Sequence, residues 1–213
     1  MRTDLNELQS FFNGRVQVVS SIDPDKALPL LGMDPIGLRT LNFNYTLLNK
    51  WAIDQGLLQK DLKSNQIILI ERSNPDQYYL NDAVKKGAGK TRRSIKNHKN
   101  LVDTIKPYIK SEFQFKSIAL ENLNLKQQIN LFSSAALVIG QHGAGLSNII
   151  WMNKKTSVVE FGFKNKAHFK KVALALDLNY LKYQDFKDPH ISINPSALIN
   201  WLKSQKQLIP FFK

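Results

Sequence analysis

The chain contains no cysteine. Disulfides and cysteine-ligated zinc are therefore excluded, and a reducing compartment is expected. No stretch approaches the roughly 18 apolar residues that a membrane-spanning helix requires. The opening MRTDLNELQS lacks the apolar centre of a secretory leader. A cytoplasmic setting is the expectation, with peripheral contact to the inner membrane as its extension. Internal repeats and low-complexity segments are also missing. Acidic residues are scarce, 17 Asp and Glu against 30 Lys and Arg, giving a net charge of +13. Between Lys85 and Lys99 stand Lys85, Lys86, Lys90, Arg92, Arg93, Lys96 and Lys99, without one acid. Such a field attracts nucleic acid, nucleotide phosphates or an anionic membrane face. The same segment lacks the interleaved aromatics of a single-strand platform, so nucleic acid is not the favoured partner.

What is present fits one folded domain, or slightly more. There are 213 residues with 43% hydrophobic content, enough for a sizeable core. From about residue 65 the pattern alternates. QIILI at Gln66–Ile70 reads as a short buried strand. A basic stretch follows, and Asn97 is placed to cap a helix through Leu101, Ile105 and Tyr108. Further strands are expected at 113–120, 136–139, 157–161 and 180–183. Helices are expected at 125–134, 144–152, 168–176 and 196–203, the first capped by Asn124. This rhythm predicts an α/β fold, a five-stranded Rossmann-like parallel sheet covered on both faces. The first 64 residues differ. A strand is expected at 16–19 and a helix at 43–58 with Leu47, Leu48, Trp51 and Leu58 on its apolar face. Prolines at 24, 29 and 35 interrupt the pattern between them.

One segment concentrates chemistry: VIGQHGAGLSNIIWMN, Val138 to Asn153. In an open parallel sheet, ligands sit beyond the carboxyl ends of the strands. Gly140–Gly145 falls on that rim, and the helix after it offers free N–H groups to phosphate. The spacing of Gly140, Gly143 and Gly145 is G-x-x-G-x-G, which is neither a dinucleotide fingerprint nor a Walker loop. Glycines at 143 and 145 are expected to let a ligand approach the backbone closely. His142 is expected on the sheet edge, where its ring can donate to a phosphate or leaving-group oxygen. The competing reading is a turn histidine bonded to nearby carbonyls.

IGQHGAGLSNIIWM followed by SVVEF closely resembles the C-terminal signature of the family-61 glycosyltransferases. That group includes plant xylosyl- and arabinosyltransferases, animal O-GlcNAc transferases and bacterial capsule-type proteins. Arg72 in IERS, the pair Arg92-Arg93 with Asn97 in TRRSIKN, and LKQQINLFSSA before the loop carry the resemblance further. AHFKKVALALDLNYLKY is a weaker match. The resemblance spans roughly residues 43–183.

It implies the C-terminal, donor-binding half of a GT-B fold. The implied activity is metal-independent, inverting sugar transfer from a nucleotide sugar, expected to be a UDP-sugar, to a glycan, polysaccharide or lipid-linked acceptor. Arg72, Arg93, Asn97, His142, Gly143, Ala144, Gly145, Asn148 and Glu160 are implied to line the donor site. His142 is the candidate catalytic residue, and Glu160 is set against the ribose hydroxyls. No residue is assigned as the base that deprotonates the acceptor. Glu71 beside Arg72, and His98-Lys99 after Asn97, depart from the family pattern.

A complete enzyme of this type needs about 350–400 residues, at ~150–200 per half. Residues 1–64 are therefore expected to be a remnant of the acceptor domain with its linker helix, and 65–213 the nucleotide-sugar domain. The chain is then expected to be a truncated product, a fragment, or one subunit of a split enzyme whose partner chain supplies the rest. The rival reading is a non-catalytic basic module for an anionic polymer or membrane surface. Three decoys carry less. GAGKT at 87–91 lacks the first Walker glycine. Asp23-Pro24-Asp25 matches D-x-D but reads as a proline turn, and Asp185, Asp188 and His190 read as a polar loop.

Overall fold

The structure, a computed structural model, describes residues 35–59, 62–74 and 89–213, with side chains from Tyr45 onward. The expected strand at 16–19, the Asp23-Pro24-Asp25 turn, and Lys85 and Lys86 lie outside these residues.

Five strands form one sheet: β1 (Gln66–Glu71), β3 (Gln114–Ala119), β4 (Ala135–Gln141), β5 (Ser157–Phe163) and β6 (Asn179–Phe186). Their order is β3-β1-β4-β5-β6, and every pairing is parallel. A two-stranded parallel patch joins β2 (Ser94–Ile95) to β7 (His190–Ile191). The helices are α1 (Pro35–Asp54), the short α2 (Gly89–Arg92), α3 (His98–Ile105), α4 (Leu125–Ser133), α5 (His168–Ala175) and α6 (Pro195–Ser204). The α/β class and the five parallel strands expected from sequence are present.

The residues explain the layers. β4 and β5 are buried along their whole length, as strands covered on both faces must be. The edge strands β3 and β6 are only partly buried. Alternate residues of β1 face opposite ways. Ile67 and Leu69 pack with Leu101 and Ile105 of α3 and with Leu198 and Leu202 of α6. Ile68 and Ile70 pack with Ile129 and Phe132 of α4, Leu146, and Phe169 of α5. Each such side chain contributes about 1.5–3 kcal/mol on burial. Asn124 and Gln127 form a reciprocal capping box on α4, and Asn194 caps α6 ahead of Pro195.

Three expectations change. The helix expected as a linker belongs to the sheet's own core, because Trp51 and Ala52 of α1 are buried against the Ile68–Ile70 face. Leu47 is not on that apolar face; it is 49% exposed, while Leu48 and Leu58 do pack there. The segment Ala144–Trp151 is helical as expected, but it is a 3-10 helix. Among the described residues, no helix is long and apolar enough to cross a membrane.

The sheet order fixes where a ligand can sit. From β1 the chain adds β3 on one side, then returns to place β4 on the other. The order therefore reverses between β1 and β4. A crevice opens outside the carboxyl ends of strands at such a switch point. Arg72 follows β1 and His142 follows β4.

Candidate functional site

β4 does not end cleanly at Gln141. The His142 N–H donates to the Phe161 carbonyl at 2.9 Å, which continues the ladder onto β5 by one more bond. That bond directs the His142 ring inward. The ring is 3% exposed and lies 5.1 Å from the Phe169 ring and 5.3 Å from that of His168, centroid to centroid. Its Nδ1 meets Glu160 Oε1, and Tyr180 Oη donates to Glu160 Oε2. The carboxylate accepts, so Nδ1 carries the ring proton. Burial pushes the Tyr180 hydroxyl well above the usual tyrosine range, and the Glu160 carboxylate adds to the effect.

This corrects two expectations. The His142 imidazole does not crown the sheet edge; it is packed inside and engaged by a carboxylate. Glu160 does not face a ribose, because its side chain is fully buried with both oxygens occupied. Nor, among the described residues, does Glu160 pair with a lysine or arginine of the basic segment.

What His142 presents outward is its backbone carbonyl. Arg93 Nη1 donates to it at 2.6 Å and Arg72 Nη2 at 3.3 Å. Arg93 is 8% exposed, with its guanidinium 4.6 Å from the centre of the Phe163 ring. Burial pulls both guanidinium pKa values below the ordinary arginine value, assisted at Arg72 by the charge of Arg93 against the opposing Glu121, and at Arg93 by that of Arg92. Arginine's reserve is large enough that both remain cationic.

The glycines serve the protein's own packing. A Cβ on Gly143 would stand 1.8 Å from Arg72 Nη2, so the missing side chain is the space the guanidinium occupies. A Cβ on Gly145 would press on Ile70 Cγ2 and Leu120 Cδ1 at 3.2 and 3.3 Å. The close approach expected of a ligand at these glycines is made by Arg72, Ile70 and Leu120. Asn148 Nδ2 donates to Gln128 Oε1 at 3.0 Å. Asn97 precedes α3 but makes no side-chain cap. Its amide instead bonds both the carbonyl and the N–H of Ile193, at 2.7 and 3.1 Å, which turns both ends of the amide to the protein's own backbone.

Two clefts flank the carboxyl end of β1, sharing Ile70, Glu71 and Arg72. One, about 380 Å³, opens on the α4 side toward Glu121, Gln128, Ala144, Gly145, Ser147 and Asn148. The other, about 340 Å³, opens on the α3 side toward Lys90, Ser94, Lys96, His98 and Lys99. Of the expected donor residues, Arg72, Ala144, Gly145 and Asn148 meet at the first cleft. Arg93, His142, Gly143 and Glu160 form the support behind Arg72, and Asn97 lies apart. Sequence reasoning missed Tyr180, Phe163 and Phe169. A signal for Tyr180 existed: Glu160 pairs with Lys182 across β5 and β6, so Tyr180, two residues earlier, shares its face. The polar residues of the 185–190 loop do not converge. Asp185 accepts from the Asn165 N–H, and His190 Nδ1 pairs with Ser94 Oγ at 2.9 Å. Among the described residues, no group of three or more His, Asp or Glu could hold a metal ion.

Comparison with known proteins bears directly on this geometry. A family model described as Glycosyltransferase 61 matches residues 9–159, and so includes Arg72, Arg93 and the whole histidine loop. The chain belongs to the glycosyltransferase 61 family. It is also similar to Beta-1,2-xylosyltransferase RCN11 of Oryza sativa subsp. japonica, 26% identical over 122 residues. That alignment covers 55% of this chain and 22% of the rice protein, so the chain spans about a fifth of its relative's length. For a family-61 chain, Arg72 at the switch point and the histidine loop behind it are the parts of the signature that the fold brings together.

Proposed function

We propose that this chain provides the donor side of an inverting glycosyltransferase, binding a nucleotide sugar, expected to be a UDP-sugar, across the carboxyl ends of β1 and β4. The observation that carries this reading is the seat of Arg72. The guanidinium fills the space over Gly143, bonds the His142 carbonyl, and borders both clefts. Sugar transfer breaks a bond to a diphosphate, and negative charge grows on the departing oxygen. A fixed cation at that point stabilises the transition state more than the ground state. Preorganised donors of this kind are worth about 2.7–4 kcal/mol each. Arg72 suits the task because it presents a rigid fork of N–H groups to phosphate oxygens.

In this reading His142 acts through its backbone. Glu160 and Tyr180 hold the ring, the ring holds the carbonyl, and the carbonyl aims two guanidinium groups. Arg93 is the inner support, and Arg72 is the one that faces the ligand. Asn148, Ala144 and Gly145 line the cleft on the α4 side, where Arg72 is the one cation and amides and backbone suit the uncharged sugar or base. The acceptor, a glycan or polysaccharide, would be brought by another domain or partner chain, together with the base that deprotonates it.

Titration calorimetry with UDP and UDP-sugars tests the proposal. The wild-type chain should give saturable binding that Arg72→Ala weakens by roughly tenfold or more. Equal heats for the two proteins would overturn it.

A further inference from the structure

We infer that the cleft on the α3 side of β1 is a phosphoryl-binding site, with Lys90, Lys96 and Lys99 as its cationic wall. This deepens the nucleotide-sugar reading and rests on it for the identity of the ligand, though not for the existence of the site.

The two clefts beside β1 differ in charge. The α4-side cleft has one cation, Arg72, against two acids, Glu71 and Glu121, and is otherwise lined by amides, a hydroxyl, backbone and apolar groups. The α3-side cleft has Arg72, Lys90, Lys96 and Lys99 against one acid, Glu71. A neutral sugar or base suits the first, and a phosphate or diphosphate suits the second. The three lysines are exposed, and among the described residues no ion pair or side-chain hydrogen bond engages them. A surface cluster of like charges in which cations outnumber acids four to one costs stability through self-repulsion, so such a cluster around a concavity points to an anion.

Among the described residues, Glu71 forms no ion pair with the three lysines. Its Oε2 lies 4.0 Å from His98 Nε2, and that nitrogen also sits 2.8 Å from Ser117 Oγ. The backbone is fixed. The Lys90 N–H donates to the Ser73 carbonyl at 2.8 Å, and the Lys96 N–H to the Ile191 carbonyl at 2.8 Å. The lysines are therefore carried on anchored backbone, and only their side chains must be ordered by the ligand.

Phosphoryl groups could arrive from two sources. One is the donor's own diphosphate, with its sugar or base in the α4-side cleft across Arg72. The other is a phosphate on the acceptor. The probes are inorganic pyrophosphate, UDP, uridine and glucose 1-phosphate, titrated into the full chain by calorimetry at two salt concentrations. Lys96→Ala/Lys99→Ala should weaken pyrophosphate roughly tenfold, with uridine changed less than twofold. Lys90→Ala serves as the second variant, and circular dichroism checks that both remain folded. Competition of UDP with pyrophosphate, and an equal loss for both in the double variant, assigns the site to the donor. Simultaneous binding of UDP and glucose 1-phosphate, with only the latter weakened, assigns it to the acceptor. Pyrophosphate that binds wild type and double variant alike, or binds neither, overturns the site. If pyrophosphate binding depends on the lysines while UDP and uridine give no heat, the site stands and the nucleotide-sugar reading fails.

Discussion

Arg93 and Arg72 donate to one acceptor, the carbonyl oxygen of His142, at 2.6 and 3.3 Å. Two guanidinium groups sharing one oxygen repel each other, and the arrangement holds because one is buried over Phe163 and the other reaches the clefts. Their removal should therefore have different consequences. Arg93→Ala strips a charged hydrogen bond from a buried carbonyl and should cost roughly 1.5–3 kcal/mol in urea unfolding. Arg72→Ala should cost less stability and most of the nucleotide affinity. A stability loss for Arg72→Ala larger than that for Arg93→Ala would contradict the division of labour.

Gly143→Ala places a methyl where Arg72 Nη2 now sits. Overpacking of this type costs about 1–3 kcal/mol, and the guanidinium should be expelled. UDP binding should then fall as far as in Arg72→Ala. The double variant Gly143→Ala/Arg72→Ala should be no less stable than Gly143→Ala alone, because the clash is gone. A double-mutant cycle reads this coupling directly.

Behind the loop, Glu160 is the keystone. Glu160→Ala leaves the buried His142 ring and the Tyr180 hydroxyl without their acceptor, and should cost about 3–5 kcal/mol. Tyr180→Phe removes one donor and should cost roughly 1.5–3 kcal/mol. If Glu160 instead contacted ribose, its loss would lower nucleotide affinity while leaving the unfolding midpoint in place. Parallel denaturation and calorimetry separate the two outcomes.

Stability should also fall in mild acid. Burial, opposed by Glu71 and assisted by Lys90, pushes the His98 pKa below the ordinary histidine value of about 6.5. Between that depressed value and about 6.5 the unfolded chain binds the proton and the native chain does not. The unfolding free energy therefore drops as pH falls through this window. Burial and the neighbouring His142 depress His168 in the same direction. His98→Gln should flatten part of the pH dependence measured by urea midpoints, and an unchanged slope would show that His98 titrates elsewhere.

Much of this fold could be read from the chain alone. QIILI, SVVEF and the Asn124 cap carry their structure locally, through burial pattern and turn chemistry. The site was less legible, because its decisive contacts join residues far apart. Arg93 and His142 are 49 positions apart, and His142 and Glu160 are 18. The motif marks His142 and Gly143 as special without saying that the ring turns inward and the glycine makes room for an arginine. Asn97 has the composition of a cap, but an amide can bridge two backbone groups equally well, and Ile193 offers both. Leu47 was misplaced because helical periodicity alone does not say which turn of a long helix meets the sheet.

The β2–β7 patch has a consequence for how the protein comes into being. Ser94 and Gln141 both reach the Pro189 carbonyl, Lys96 reaches that of Ile191, and Asn97 clasps Ile193. The early segment that carries Arg93 and the lysines is thus latched by residues about a hundred positions downstream. During synthesis that segment must wait, unfastened, until the latch has left the ribosome. The wall of the α3-side cleft is then among the last features the nascent chain acquires.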